Sequence, residues 1–164
     1  MKFAVVGCGH IGKRHIAVLD AEEKAEIVAI CDVDEEKAKA QADLYGLKYY
    51  TDFEEMLRNE DFDMVNIATP HGLHAEMSIQ AARAKKHILV EKPMALTSAD
   101  SKKMIEVAEQ EGVKLYVIKQ NRFNIPIKLT KDALDEGKLG KIYMVLCNVL
   151  WNRHEGYYAD SSWK

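Results

Sequence analysis

Two short segments have residue types and spacings suited to chemistry. In Gly7-Cys8-Gly9-His10-Ile11-Gly12, the first glycine permits a sharp turn and the second lets main chain approach a phosphate. The third lets a helix pack closely on a strand. A lone G-x-G-x-x-G is weak evidence, but here it follows an apolar run, opens a helical pattern, and precedes an acidic residue at the end of the next apolar run. That residue, Asp32, stands twenty positions after Gly12 and is placed to accept hydrogen bonds from ribose hydroxyls. A 2′-phosphate would meet its charge, and Val33 offers no compensating cation, so NAD is expected rather than NADP. A tight turn with a solvated aspartate, or a related fold holding S-adenosylmethionine or a flavin, are the competing readings. The second segment is Glu91-Lys92-Pro93. A lysine entering a cleft beside a cationic nicotinamide can have its pKa lowered and take a proton from a substrate hydroxyl. A surface lysine before a proline is equally compatible with spacing alone.

These segments need a scaffold that brings them to one place. Phe3–Val6, Ile27–Ile30, Tyr49–Tyr50, Met64–Ala68, His87–Val90 and Leu115–Ile118 read as short buried strands. Helical patterns run between them, over His10–Asp20, Asp34–Leu44, a segment opened by a capping box at Thr51-Asp52-Phe53-Glu54, His74–Lys85, and Thr97 to Gly112. Ile11, Ile16 and Leu19 are expected on or near one face of the first helix, and Ile105 and Ala108 among the inward residues of the last. Such alternation predicts a doubly wound parallel sheet over 1–119. Every chemically suggestive turn, including Ala68-Thr69-Pro70-His71, then falls at the carboxyl edge where dinucleotides bind. A plain strand-ending turn is the alternative at Thr69-Pro70. From 120 to 164 the rhythm changes: a helix over Asn124–Glu136, glycines at 137 and 140, then one long strand over Lys141–Trp151 with no visible partner. This predicts the start of a truncated α/β C-terminal domain.

Composition narrows the partners. The 164 residues carry 23 Lys and Arg against 26 Asp and Glu, a formal charge of -3, which argues against a nucleic-acid surface. No apolar run reaches the ~18 residues of a membrane span, and the amino terminus lacks a signal peptide's apolar segment and cleavage site. Cys8, Cys31 and Cys147 have neither disulfide nor zinc spacing, so reduced thiols in the cytoplasm are expected. His71 and His74 have no further ligand cluster beside them, and no metal is expected. His74 reads as a polar group near the cofactor or as a helix-start residue.

The ordered set Val-Val-Gly-Cys-Gly-His-Ile-Gly (5–12), Ala-Thr-Pro (68–70), Glu-Lys-Pro (91–93) and Gln-Asn-Arg-Phe (120–123) resembles the Gfo/Idh/MocA oxidoreductases. The resemblance implies a Rossmann domain followed by a mostly antiparallel α/β domain whose sheet forms homo-oligomers. It further implies that Lys92 is catalytic and that Gln120 and Arg122 lie beside cofactor or substrate. The expected cofactor-binding set is Gly7, Gly9, His10, Ile11, Gly12, Asp32, Ala68, Thr69, Pro70, His74, Glu91, Lys92, Gln120 and Arg122. The aspartate and histidine that family members add from the second domain have no counterpart before Lys164.

A narrower likeness is to dehydrogenases that oxidise UDP-N-acetylglucosaminuronate at C3 in bacterial surface-polysaccharide synthesis. It rests on Lys119-Gln120-Asn121-Arg122-Phe123, Trp151-Asn152-Arg153 and Tyr157-Tyr158. Asn121, Arg122, Trp151, Arg153, Tyr157 and Tyr158 then join Lys92 as substrate candidates. An arginine fork suits a uronate carboxylate or a diphosphate, and aromatic rings suit sugar or uracil. A strand-end aromatic cluster that packs into a core is the competing reading. The whole points to an NAD-dependent nucleotide-sugar dehydrogenase. A dinucleotide-sensing regulatory or scaffold protein, and an NAD-binding module without chemistry, are the alternatives.

Overall fold

The computed structural model describes residues 1–152 and 154–156. By internal contacts the chain divides into unit 1, Met1–Lys119, and unit 2, Gln120–Lys164.

Unit 1 is a six-stranded parallel sheet, β1 (Lys2–Val6), β2 (Glu26–Cys31), β3 (Lys48–Tyr50), β4 (Met64–Ile67), β5 (His87–Val90) and β6 (Leu115–Val117), in the order β3-β2-β1-β4-β5-β6. This is the doubly wound order, with its crevice between β1 and β4, where the direction of winding reverses. The helices are α1 (His10–Asp20), α2 (Glu35–Tyr45), α3 (Phe53–Asn59), α4 (His74–Arg83) and α5 (Ser98–Glu111). Alternate residues of β1 point to opposite faces, as a strand's period of two requires. Val5 enters a core with Ile16 of α1 and Ala42 of α2. Ala4 and Val6 enter another with Met56 of α3, Ala81 of α4 and Met104 of α5. Both faces are therefore covered, which explains why the strands read as continuous apolar runs.

Three expectations about unit 1 need correction. The cap of α3 is Asp52, not Thr51: the Asp52 carboxylate accepts the Glu55 amide at 2.7 Å, and Asp52 has the extended backbone of a cap residue. Ile105 of α5 faces outward, because packing against α4 selects the stripe Met104, Val107 and Ala108. Ile11 also faces outward, at the carboxyl edge of the sheet, while Ile16 is fully buried. Thr97 does cap α5, its hydroxyl accepting the Asp100 amide and donating to the Asp100 carboxylate.

Unit 2 opens with a 3₁₀ turn, Gln120–Phe123, and a helix, α6 (Ile125–Asp135), that starts with a proline in its first turn. The long strand expected over 141–151 is not formed. Residues 143–150 have no regular structure and are exposed, because a strand exists only where a neighbour takes up its amides and carbonyls. Among the described residues no helix is long and apolar enough to cross a membrane.

Candidate active site

Because all six strands run the same way, the segments after β1, β2, β4 and β5 meet at one edge of unit 1. Each strand's successor residue is fastened to its neighbour's last carbonyl. Gly7 donates to Cys31 O at 2.8 Å, Ala68 to Val6 O at 2.8 Å, and Glu91 to Ile67 O at 2.9 Å. The glycine loop thus sits on a rigid rim.

Its glycines serve different ends. Gly7 has φ +93°, and a Cβ there would lie 2.6 Å from Ala68 O. A Cβ on Gly12 would lie 1.7 Å from Gly7 O, so only hydrogen lets α1 close on the loop. At Gly9 a Cβ would meet nothing within 4 Å. Gly9 is the N-cap of α1 and carries no capping side chain. The amides of His10, Ile11 and Gly12 have no intrahelical acceptor, and the helix dipole adds partial positive charge there. Open space, spare donors and positive potential fit the pyrophosphate of a dinucleotide.

Asp32 follows β2 and is half-buried. Its Oδ2 accepts the Cys8 amide at 2.6 Å and its Oδ1 accepts the Asp34 amide at 2.9 Å. The carboxylate therefore splints the glycine loop to the end of β2, a role that the ribose argument does not contain. Each oxygen keeps a further lone pair for a ligand hydroxyl. The Cys8 and Cys31 thiols beneath the loop are pushed up to about 12, chiefly by burial, so they stand as inert core groups.

His74 begins α4 and is completely buried. Its Nδ1 lies 2.8 Å from Pro93 O and its Nε2 2.9 Å from Thr69 O. With both ring nitrogens facing protein carbonyls and no exposed surface, it touches the two loops of the rim rather than the open cleft. Its nitrogens are likewise committed away from any metal shared with His71. Among the described residues no cluster of three or more His, Cys, Asp or Glu side chains is placed to hold an ion.

Lys92 is exposed at the rim, between half-buried Glu91 and Pro93, and its peptide to Pro93 is cis. The Glu91 carboxylate accepts the Lys92 amide at 3.0 Å through Oε2 and pairs with His15 Nε2 at 3.1 Å through Oε1. His15 Nδ1 lies 3.0 Å from Asn66 Oδ1. His15 and Asn66 are absent from the residues expected at the site. Two signals mark them: His15 follows Gly12 by three positions, on the same helical face, and Asn66 is a polar residue inside an apolar strand.

In unit 2, Gln120, Asn121 and Arg122 are exposed on the 3₁₀ turn. Trp151 lines an open hollow with Asn148 and residues at the start of α6. Arg153, Tyr157 and Tyr158 lie outside the described residues.

Comparison with known proteins agrees with this geometry. The profile of an oxidoreductase family with an NAD-binding Rossmann fold, Gfo/Idh/MocA, matches residues 1–119. Inositol 2-dehydrogenase of Salmonella typhimurium is 31% identical over 149 residues, covering 88% of this chain and 44% of the enzyme. D-apiose dehydrogenase of Paraburkholderia graminis is 36% identical over 140 residues, covering 85% of this chain and 37% of the enzyme. The WlbA dehydrogenase of Bordetella pertussis, solved with NADH and UDP-GlcNAcA, superposes with a TM-score of 0.93 at 39% identity, over 99% of this chain and 50% of that one. The WlbA dehydrogenase of Chromobacterium violaceum gives 0.94 at 38% identity, over 99% and 48%. The chain thus spans about half the length of the relatives it matches. From the glycine loop, the doubly wound sheet and the family profile over unit 1, the chain belongs to the Gfo/Idh/MocA family of NAD-binding oxidoreductases.

Proposed function

We propose that this protein is an NAD-dependent sugar dehydrogenase in which Lys92 accepts the proton of a substrate hydroxyl, on C3 of a UDP-N-acetylhexuronate. The observation that carries the reading is the meeting of the glycine loop, Asp32 and Glu91-Lys92-Pro93 on one bonded rim. The amides of His10 and Ile11 would take the pyrophosphate, with Gly9 leaving room, and Asp32 the adenine ribose. Ala68, Thr69 and Pro70 would line the cofactor's path across the rim. Bound NAD supplies the hydride acceptor. Lys92 Nζ takes the hydroxyl proton and holds it as the carbinol carbon becomes a ketone. Gln120, Asn121 and Arg122 would orient cofactor or substrate, and Arg122 or Arg153 would pair with a carboxylate or a diphosphate. Trp151, Tyr157 and Tyr158 would pack on sugar or base. As part of the same proposal, the enzyme works in the cytoplasm in polysaccharide synthesis and assembles as a homo-oligomer through the sheet of its second domain.

The choice of a nucleotide sugar is supported by how far the likenesses reach. The WlbA structures match 99% of the chain, unit 2 included, whereas the myo-inositol dehydrogenase of Lactobacillus plantarum matches 87% at 26% identity. A free polyol is the second reading, favoured by the inositol 2-dehydrogenase relatives. The full-length protein, mixed with NAD and in turn with UDP-N-acetylglucosaminuronate, UDP-N-acetylglucosamine, myo-inositol and D-apiose, should form NADH in a single turnover with the uronate. NADH with a polyol alone would replace the substrate. NAD binding with no NADH from any of them would overturn the dehydrogenase reading and leave a sensor.

A further inference from the structure

The two residues that flank Lys92 are held by two histidines, and both histidines reach back to the carboxyl end of β4. On one side His74 joins Pro93 O to Thr69 O. On the other side His15 joins the Glu91 carboxylate to Asn66 Oδ1. These groups are well shielded. The side chains of His15 and Glu91 are 16% and 12% exposed, and Asn66 is 2% exposed. Glu91 is thereby fixed at three points: its amide on Ile67 O, one carboxylate oxygen on His15, and the other on the Lys92 amide. His15 itself stands on α1, the helix whose first turn forms the glycine loop. One helix therefore supplies both the anion-binding amides and the grip on the lysine's neighbour.

We propose that His15 is a positioning residue for Lys92: acting through Glu91, it fixes the main chain of Lys92 relative to the glycine loop. The inference rests on the proposed role of Lys92 as base. Positional error of a base is costly, because catalysis depends on holding the reacting groups in near-attack geometry. His15 itself need touch neither ligand. Loss of the grip should lower kcat and leave binding nearly intact. It should also make the pair non-additive, since either partner alone carries no function.

The test is a double-mutant cycle in the full-length protein with His15→Ala, Glu91→Ala and the pair, with UDP-N-acetylglucosaminuronate and saturating NAD. Each single variant should lower kcat by about tenfold or more, with KM and the NAD Kd within about threefold, and the double should be no worse than the poorer single. His15→Gln, which keeps one donor, should recover part of the loss. A second readout needs no turnover. The 1H–15N resonance of the Lys92 amide should move in His15→Ala while the amides of β2 stay in place. Additive losses, kcat within twofold of wild type, or an unmoved Lys92 amide would overturn the proposal. A loss chiefly in NAD affinity would make His15 a cofactor anchor instead. If wild type turns over myo-inositol and not the uronate, the substrate reading fails while the same cycle on inositol still decides this one. If neither is turned over, the amide resonance alone decides.

Discussion

Helices α1 and α6 are each 11 residues long and each carries an apolar stripe. On α1, Ile16 is fully buried between the sheet and α2, while on α6 Ile125, Ile127, Leu129 and Leu134 are 45–73% exposed. The same contrast holds for extended chain. Val-rich β1 is buried on both faces, whereas Tyr143, Met144, Val145 and Leu146 stand largely exposed. Sequence pattern specifies the local conformation, but burial needs a surface to pack on, and in unit 1 the parallel sheet is that surface. Fully burying a Leu or Ile side chain contributes about 1.5–3 kcal/mol, a gain that unit 1 realises many times and that the chain leaves unrealised around α6.

The largest expected effect of this contrast lies in hydrogen exchange. Amides of β1, β4 and α1 should exchange slower than those of α6 by several orders of magnitude. Equal protection of α6 in the isolated 164-residue chain would break the comparison. A second contrast lies within unit 1, where Gly12 is packed and Gly9 is open. Gly12→Ala should cost about 3 kcal/mol of stability and abolish NAD binding, because the methyl would overlap Gly7 O. Gly9→Ala should change stability by less than about 0.5 kcal/mol yet weaken NAD about tenfold or more. Calorimetric unfolding and NAD titration of both variants separate the two roles, and equal stability losses would contradict the account.

Asp32→Ala comes next. It removes the acceptor of the Cys8 and Asp34 amides and should cost about 1–3 kcal/mol. It should also narrow the preference for NAD over NADP, and an unchanged ratio would dismiss the ribose contact while keeping the splint. The smallest effect is pH-dependent. Lys48 and Tyr50 donate to the buried Glu60 carboxylate and hold it below its ordinary value of 4.5. A lowered folded value stabilises the fold above about pH 4.5, and this contribution is lost as pH falls through the folded value. Acid titration of Glu60→Gln should therefore show a shallower fall in stability below that point than wild type, and parallel curves would contradict the pairing.

Most of unit 1 is legible because its signals are local. The apolar runs of β1 and β4, the glycine spacing, and the Thr97 and Gly112 ends of α5 each act within a few residues. What escapes is set by distance or by phase. His15 meets Asn66 across 51 positions, and no pattern in either segment alone names the other. Thr51 and Asp52 are both good caps, and only the backbone turn decides between them. Ile105 lies on the outer side of α5 because α4 chooses the buried stripe. The segment 141–151, with Ile142, Tyr143, Val145 and Val149, has strand propensity, but pairing is a property of two segments, and among the described residues it has no partner strand. At the rim, Gly7–Gly12 and Asp32 stand together as their spacing implies, while the splinting of Cys8 by Asp32 and the grip on Glu91 depend on folded geometry.

The central claim is that the rim binds NAD and that Lys92 performs the proton transfer upon it. Its most direct test is Lys92→Met in the full-length protein, with NAD affinity and single-turnover NADH formation measured on the same sample. The account predicts an NAD Kd within about threefold of wild type and loss of NADH formation by about a hundredfold or more. NADH formation at the wild-type rate, or a collapse of NAD binding, would contradict it.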